Sequence, residues 1–166
     1  PALGAVRAVW EDLKRPSDAV VLTEAPKVSV IVCTHKGSAT LVQCLDSIVA
    51  LAYPDFEVVV VNDGDDRRVA EIATAYERVR HLATEHEGLG AARNAGAREA
   101  TGAILAYTDD DCVVEPDWLK WIVSQFQKDA SLGCAGGPNL PPPPETAARA
   151  RVAAAPGGPG HVLLSD

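Results

Sequence analysis

The sequence predicts an α/β fold, a mostly parallel sheet flanked by helices, and three observations carry the prediction. Unbroken apolar runs of strand length recur, VSVIVC (Val28–Cys33) and FEVVVV (Phe56–Val61) being the clearest. Segments with apolar residues at i, i+3, i+4 and i+7 separate these runs, and Gly, Asp and Pro mark the joins. A strand that is apolar throughout must be covered on both faces, so helices crossing over both sides of a parallel sheet are the economical solution. The 166 residues, 47 % hydrophobic and 23 % charged, suffice for such a core and exclude a disordered chain.

In chain order, residues 1–27 mix charge, Ala and Pro, with a short helix around Val6–Lys14 followed by a connector. The first strand opens the domain at Val28. Leu41, Leu45 and Ile48 then share one face of a helix over Ala39–Leu51. After the second strand, Val69, Ile72, Ala73 and Tyr76 mark another helix. Val79–Ala83 reads as a weaker third strand, Leu89–Ala100 as an Ala-rich helix, and Ala103–Tyr107 (AILAY) as a fourth strand running into three consecutive aspartates. A last amphipathic helix carries Leu119, Ile122, Val123 and Phe126, with Asp117 as its N-cap after Pro116. Leu132–Ala135 reads as a fifth strand. The prolines of GGPNLPPPP favour an extended surface segment, and a short helix over Glu145–Ala155 precedes the PGGPG turn.

The net charge of −8 argues against a nucleic acid partner and suits a cation held by carboxylates. No apolar run reaches the ~18 residues of a membrane span, and no targeting signal opens the chain. The four cysteines form no C-x-x-C pair and read as buried free thiols. The four histidines lack the helical i, i+4 spacing of a zinc site. With no Met, and an end at HVLLSD just after a Pro/Gly-rich stretch, the chain reads as a fragment.

The chemistry gathers where the topology places it. Cys33, Thr34 and His35 follow the first strand, Asn62, Asp63 and Gly64 the second, and Asp109, Asp110 and Asp111 the fourth. In a parallel sheet these carboxyl ends share one edge, where ligands of such folds bind. Asp109-x-Asp111 can present two carboxylates to one Mg²⁺ or Mn²⁺; the alternative is a solvated acidic turn or helix cap. If the chain stays extended through the triplet, 109 and 111 share one side and 110 faces the other. Asp63 can accept from the N3–H of a uracil or thymine ring, or can simply serve the turn before Gly64. Arg93, in HEGLGAARNAG, can face a base or diphosphate beside a helix start, or form a surface salt bridge.

VSVIVCTH, FEVVVVNDGDD and GLGAARNAGAREATGAILAYTDDDCVVEPDWL together resemble the nucleotide-binding half of a family-2 glycosyltransferase with the Rossmann-like GT-A fold. The resemblance runs from Val28 to about Asn139. It implies a nucleotide-sugar-binding domain over 28–139, a Pro/Gly-rich loop, and the start of an incomplete acceptor-side region over 140–166. It also implies that Cys33, Thr34, His35 and Asp63 hold base and ribose, Arg93 lies beside the base, Asp110 touches the ribose, and Asp109 and Asp111 bind Mn or Mg. Asn62, Asp65, Asp66 and Lys36 depart from the usual family pattern. No acceptor-side motif is evident between Glu145 and Asp166, which places the expected general base beyond Asp166.

The function so implied is inverting, metal-dependent transfer of a sugar, of the hexosyltransferase class, from a UDP-linked donor to an unidentified acceptor hydroxyl. This fragment alone is expected to be inactive or nearly so. A cytoplasmic location is expected, any membrane association coming from other parts of a parent protein. Two alternatives remain. AILAY followed by Asp109-x-Asp111-x-Val113 also fits a metal-dependent phosphohydrolase of the haloacid dehalogenase type, although that family carries the motif on its first strand. A nucleotide-binding module without turnover is the other. A dinucleotide-binding fold is disfavoured, because CTHKGS rather than G-x-G-x-x-G follows the first strand.

Overall fold

The computed structural model describes residues 20–36 and 39–137. The expected helices over Val6–Lys14 and Glu145–Ala155 and the Pro-rich segment lie outside the described residues. Strands β1 (Val28–Thr34), β2 (Phe56–Asp63), β3 (Val79–Thr84) and β4 (Ile104–Asp109) form one sheet in the order β3-β2-β1-β4. Every pairing is parallel. Helices α1 (Leu41–Val49), α2 (Arg67–Thr74), α3 (Leu89–Glu99) and α4 (Trp118–Lys128) alternate with the strands.

The two-sided apolar strands meet a separate core on each face, as the period of two requires. Val28, Val30, Val32, Val58 and Val60 pack with Leu41, Leu45, Ile48, Val69, Leu119 and Val123 of α1, α2 and α4. Ile31, Val59 and Val61 point the other way, onto Ala92 of α3. That second core is thin because α3 lies close. A Cβ on Gly96 would come within 2.6 Å of Ile31 Cγ2 and 3.0 Å of Val61 Cγ2.

At the amino ends of the strands a partly buried polar knot joins β1, β2 and the entry to β4. Glu57 accepts from Ser29 Oγ at 2.6 Å, from Thr101 N at 2.7 Å and from Thr101 Oγ1 at 2.9 Å. Lys27 and Arg80 lie 3.5 and 3.6 Å from the same carboxylate. Burial opposes its charge, but these donors prevail and hold Glu57 down at about 2.

The structure corrects the element boundaries at three places. Tyr76 falls beyond α2, where Tyr76 N donates to Ala73 O and the ring hydroxyl reaches Asp46 Oδ1 at 2.9 Å. Strand β4 runs two residues past Tyr107, so Asp109 is part of the sheet. Leu132–Ala135 is not a strand: Ser131 N and Oγ close onto Asp129, Leu132 N donates to Asp129 O, and Gly133, Gly136 and Gly137 disfavour extension. These last residues belong to a second unit, Gln125–Asp166, distinct from the unit ending at Ser124. Asp117 precedes α4, its carboxylate 2.7 Å from Lys120 Nζ. Among the described residues no helix is long and apolar enough to cross a membrane.

Candidate functional site

Register brings the three polar clusters to one edge. Cys33 pairs with Asp109 across β1 and β4, Thr34 with Asn62 across β1 and β2, and Asp63 with Thr84 across β2 and β3.

The aspartate triplet does not continue as a strand. It turns, Cys112 N donating to Asp109 O at 3.2 Å. The expectation that simple alternation separates the three side chains is therefore wrong in cause, although its grouping survives. The turn places the carboxylates of Asp109 and Asp111 and the thiol of Cys112 within 4.8 Å of one another. Asp110 is drawn back onto the sheet, its Oδ2 accepting from Thr34 Oγ1 and its carbonyl from Thr40 Oγ1 at 3.1 Å. Thr40 is the N-cap residue of α1, yet its hydroxyl makes no cap bond to the helix. It serves the turn instead.

Arg93 extends from α3 to Asp109 Oδ1 at 3.1 Å, with both side chains about half exposed. In this arrangement it faces the expected cation ligand. Two exposed carboxylates with open directions around them fit a hard divalent cation, whose remaining positions water or phosphate oxygens would fill. Burial pushes the neighbouring thiols up, Cys33 to about 11 and Cys44 to about 12, and Cys112 is raised by burial and by Asp111. They are neutral thiols at ordinary pH, Cys44 Sγ donating to Asp109 O at 3.5 Å. Only Cys44 is fully buried. Cys134 is exposed, against the expectation of four buried thiols.

Asp63 is 4 % exposed and its carboxylate is well supplied. Oδ2 accepts from His86 Nδ1 at 2.9 Å and Gly88 N at 3.2 Å; Oδ1 accepts from Glu87 N at 3.2 Å and Thr84 Oγ1 at 3.4 Å. Burial opposes its charge, but the bonds from His86, Glu87 and Gly88 hold its pKa below the usual carboxylate value. His35 Nδ1 lies 2.5 Å from Asp63 O, and the His35 and His86 rings stack at 4.0 Å between centroids. Gly64, at φ +122°, passes beneath the His35 ring. A side chain there would be strained and crowded at once.

The departures at Asn62 and Asp66 have structural work. Asn62 brackets the backbone of Asp66 in both directions, at 2.8 and 2.9 Å, and Asp66 caps α2 by accepting from Arg68 N at 2.8 Å. Asp65, at φ +52°, completes the turn. Sequence reasoning missed His86, Thr40 and Cys112. His86 carried a usable signal, since ATEHEG follows a predicted strand and so lands on the ligand edge. Thr40 and Cys112 carried none.

Residues 29–148, more than half of the chain, match the family described as Glycosyl transferase family 2. A glucosyl-dolichyl phosphate glucuronosyltransferase of Haloferax volcanii is 30 % identical over 121 residues, covering 69 % of this chain and 39 % of the relative. The mannosyltransferase PcManGT of Pyrobaculum calidifontis, solved with GDP-Man and Mn²⁺, superposes with a TM-score of 0.53 at 32 % identity, over 71 % of this chain and 37 % of that one. S. aureus TarS 1-349 with UDP gives 0.58 at 25 % identity, over 68 % and 38 %. The chain thus spans about two-fifths of the length of these proteins. The phosphohydrolase alternative finds no support among them.

Proposed function

The chain belongs to glycosyl transferase family 2, and from that premise we propose that its acidic edge binds a nucleotide diphosphate sugar, UDP-linked, for inverting transfer to an acceptor hydroxyl. The observation that carries the reading is the turn at Asp109–Cys112, which gathers two carboxylates opposite Arg93 at the mouth of the sheet. Asp109 and Asp111 would hold Mn²⁺ or Mg²⁺, which supplies charge stabilisation to the departing diphosphate. Arg93 keeps Asp109 in place and offers its guanidinium to a diphosphate oxygen. Thr34 and Thr40 hold Asp110, and through it the turn.

Base recognition falls to Cys33, Thr34, His35 and Asp63, with the ribose near Asp110. Asp63 favours uracil on hydrogen-bonding grounds. Its two oxygens offer about four acceptor sites, and four protein donors already approach them. A single N3–H can replace the long Thr84 bond, whereas the paired donors of guanine would have to displace two.

The general base lies elsewhere. Asp109 and Asp111 are committed to the cation, Asp110 to Thr34, and Asp63 to its four donors, so the donor half binds without robust transfer and the acceptor side completes the enzyme. We assign 28–139 to donor binding and 140–166 to the approach to that acceptor region, with the nucleotide-binding module lacking turnover as the competing reading for this chain alone.

Calorimetric titration with UDP, GDP and NAD, each with Mn²⁺ and with excess chelator, tests the proposal. UDP should bind only with the metal. Equal UDP affinity in chelator would remove the cation bridge, and tighter GDP binding would overturn the uracil assignment.

A further inference from the structure

The structure assigns a second metal site to the same edge, away from the aspartate turn: His35, His86 and Asp63, a two-histidine, one-carboxylate set suited to Zn²⁺. One ring nitrogen from each histidine and a carboxylate oxygen of Asp63 lie within 4.8 Å of one another. Bonds of ~2.0–2.2 Å to one tetrahedral ion put the ligand atoms about 3.3–3.6 Å apart, so side-chain rotation must close any pair near the 4.8 Å limit. The sequence spacing of these residues gives no sign of the site, because His35 follows β1 and His86 follows β3.

Three features distinguish this cluster from a casual surface pair. Asp63 is buried, and the main-chain N–H groups of Glu87 and Gly88 fix its carboxylate in place. Both imidazoles are already oriented by it. A carbonyl and a carboxylate can only accept, so Nδ1–H of His35 and Nδ1–H of His86 both point to Asp63; the lone pairs then sit on Nε2, and a ring must turn or move its proton to Nε2 before it can share an ion with Asp63. The His86 side chain is 57 % exposed and borders an open recess of about 490 Å³ lined also by Gly64, Asp65, Ala83, Thr84 and Glu85. An ion can reach His86 through this recess, past the carboxylates of Asp65 and Glu85, which favour a dication. Entry opens the ring stack and replaces the Asp63–His86 hydrogen bond by shared coordination.

The donor chemistry separates the two sites. Imidazole nitrogen suits borderline ions such as Zn²⁺, while the carboxylates of Asp109 and Asp111 suit Mn²⁺ and Mg²⁺. A consequence rests on the proposed function: His35 and Asp63 cannot serve an ion and a nucleobase together, so Zn²⁺ should oppose UDP binding where Mn²⁺ supports it.

The test is a Zn²⁺ titration of the whole chain, read by calorimetry and by the side-chain NMR signals of the histidines. Zn²⁺ should shift the imidazole signals of His35 and His86, and His86→Ala, which removes a direct ligand, should weaken that binding by more than the loss of about ten- to a hundredfold typical of removing an outer-shell partner. His86→Gln retains a donor for Asp63 and should stay folded while losing the ion to the same extent. Asp109→Asn with Asp111→Asn, and Cys112→Ser, should leave it unchanged. Undisturbed imidazole signals, or loss of Zn²⁺ binding in the Asp109/Asp111 variant but not in His86→Gln, would overturn the site. UDP titrated with Mn²⁺ alone checks the donor reading separately, so failure of either assignment leaves the other identifiable.

Discussion

Asp110 and Thr34 should act on nucleotide binding as one unit. Thr34 Oγ1 donates to Asp110 Oδ2, and the carbonyl of Asp110 is held by Thr40, so the carboxylate anchors the turn that presents Asp109 and Asp111. A hydrogen bond to a charged group contributes about 1.5–3 kcal/mol, of which an uncharged amide acceptor keeps about 1. Asp110→Ala should therefore release the turn by about 2 kcal/mol, equivalent to a loss of roughly thirtyfold in Mn²⁺-dependent UDP affinity if the ordered turn is the binding form. Asp110→Asn should lose about tenfold or less, retaining the acceptor for Thr34. Thr34→Val removes the donor at nearly constant shape. If the two residues work through each other, the double variant Thr34→Val/Asp110→Ala will be scarcely worse than Asp110→Ala, leaving a coupling energy of about 1–2 kcal/mol in the cycle. Calorimetry in saturating Mn²⁺, on variants whose melting shows them folded, supplies the four affinities. Additive losses would refute the coupling and leave the two side chains acting only through separate contacts, Thr34 with the base and Asp110 with the ribose.

Asp111→Asn and Asp109→Asn should each abolish most metal-dependent UDP binding, with Asp111 the more damaging because Arg93 partly shields the loss at 109; Mn²⁺ titration followed by calorimetry decides the order. Gly96→Ala should destabilise the fold by about 1–3 kcal/mol, since the new methyl meets Ile31 and Val61, and denaturant melts that leave stability unchanged would contradict the close packing of α3. Glu57 sits at about 2 in the folded chain against 4.5 when free, so its stabilisation is complete above pH 4.5 and drains away as pH falls from 4.5 toward 2. The full shift would correspond to about 3 kcal/mol; screening at a side chain one-fifth exposed reduces this to about 2. Urea melts at pH 7 and pH 3 should show wild type losing more stability than Glu57→Gln. Equal losses would count against the knot.

The strands were legible because burial on both faces leaves an apolar run with few other readings, and the shared ligand edge followed from parallel topology alone. VSVIVC and FEVVVV became β1 and β2 nearly to the residue. The helix carrying Leu41, Leu45 and Ile48 likewise needed only its period. Leu132–Ala135 misled because a short apolar stretch is compatible with a strand, while the Asp129–Leu132 turn depends on side-chain to backbone bonds that periodicity does not register. The aspartate triplet was found by residue type, but its turn was hidden. It depends on Thr34, read from sequence as a base contact rather than a brace, and on Thr40, which looks unremarkable there; both lie about seventy residues earlier. The His35–His86 stack was hidden for the same reason, being created only when β1 and the β3 exit reach one edge.

The Glu57 knot has a consequence at the far end of the sheet. Ser29, Glu57 and Thr101 fix how three segments begin, and from there β1, β2 and β4 run side by side in unbroken register to Thr34, Asn62 and Asp109. A slip of one residue at the knot would advance Asp109 by about 3.3 Å past Cys33 and turn its side chain to the opposite face. The knot is thus the datum from which the edge is measured. Damage to Glu57 should appear first as misalignment, a loosened Arg93–Asp109 pair and weakened nucleotide binding in a chain that still melts cooperatively. Residues some six positions upstream of the site would then behave in binding assays as though they touched the ligand.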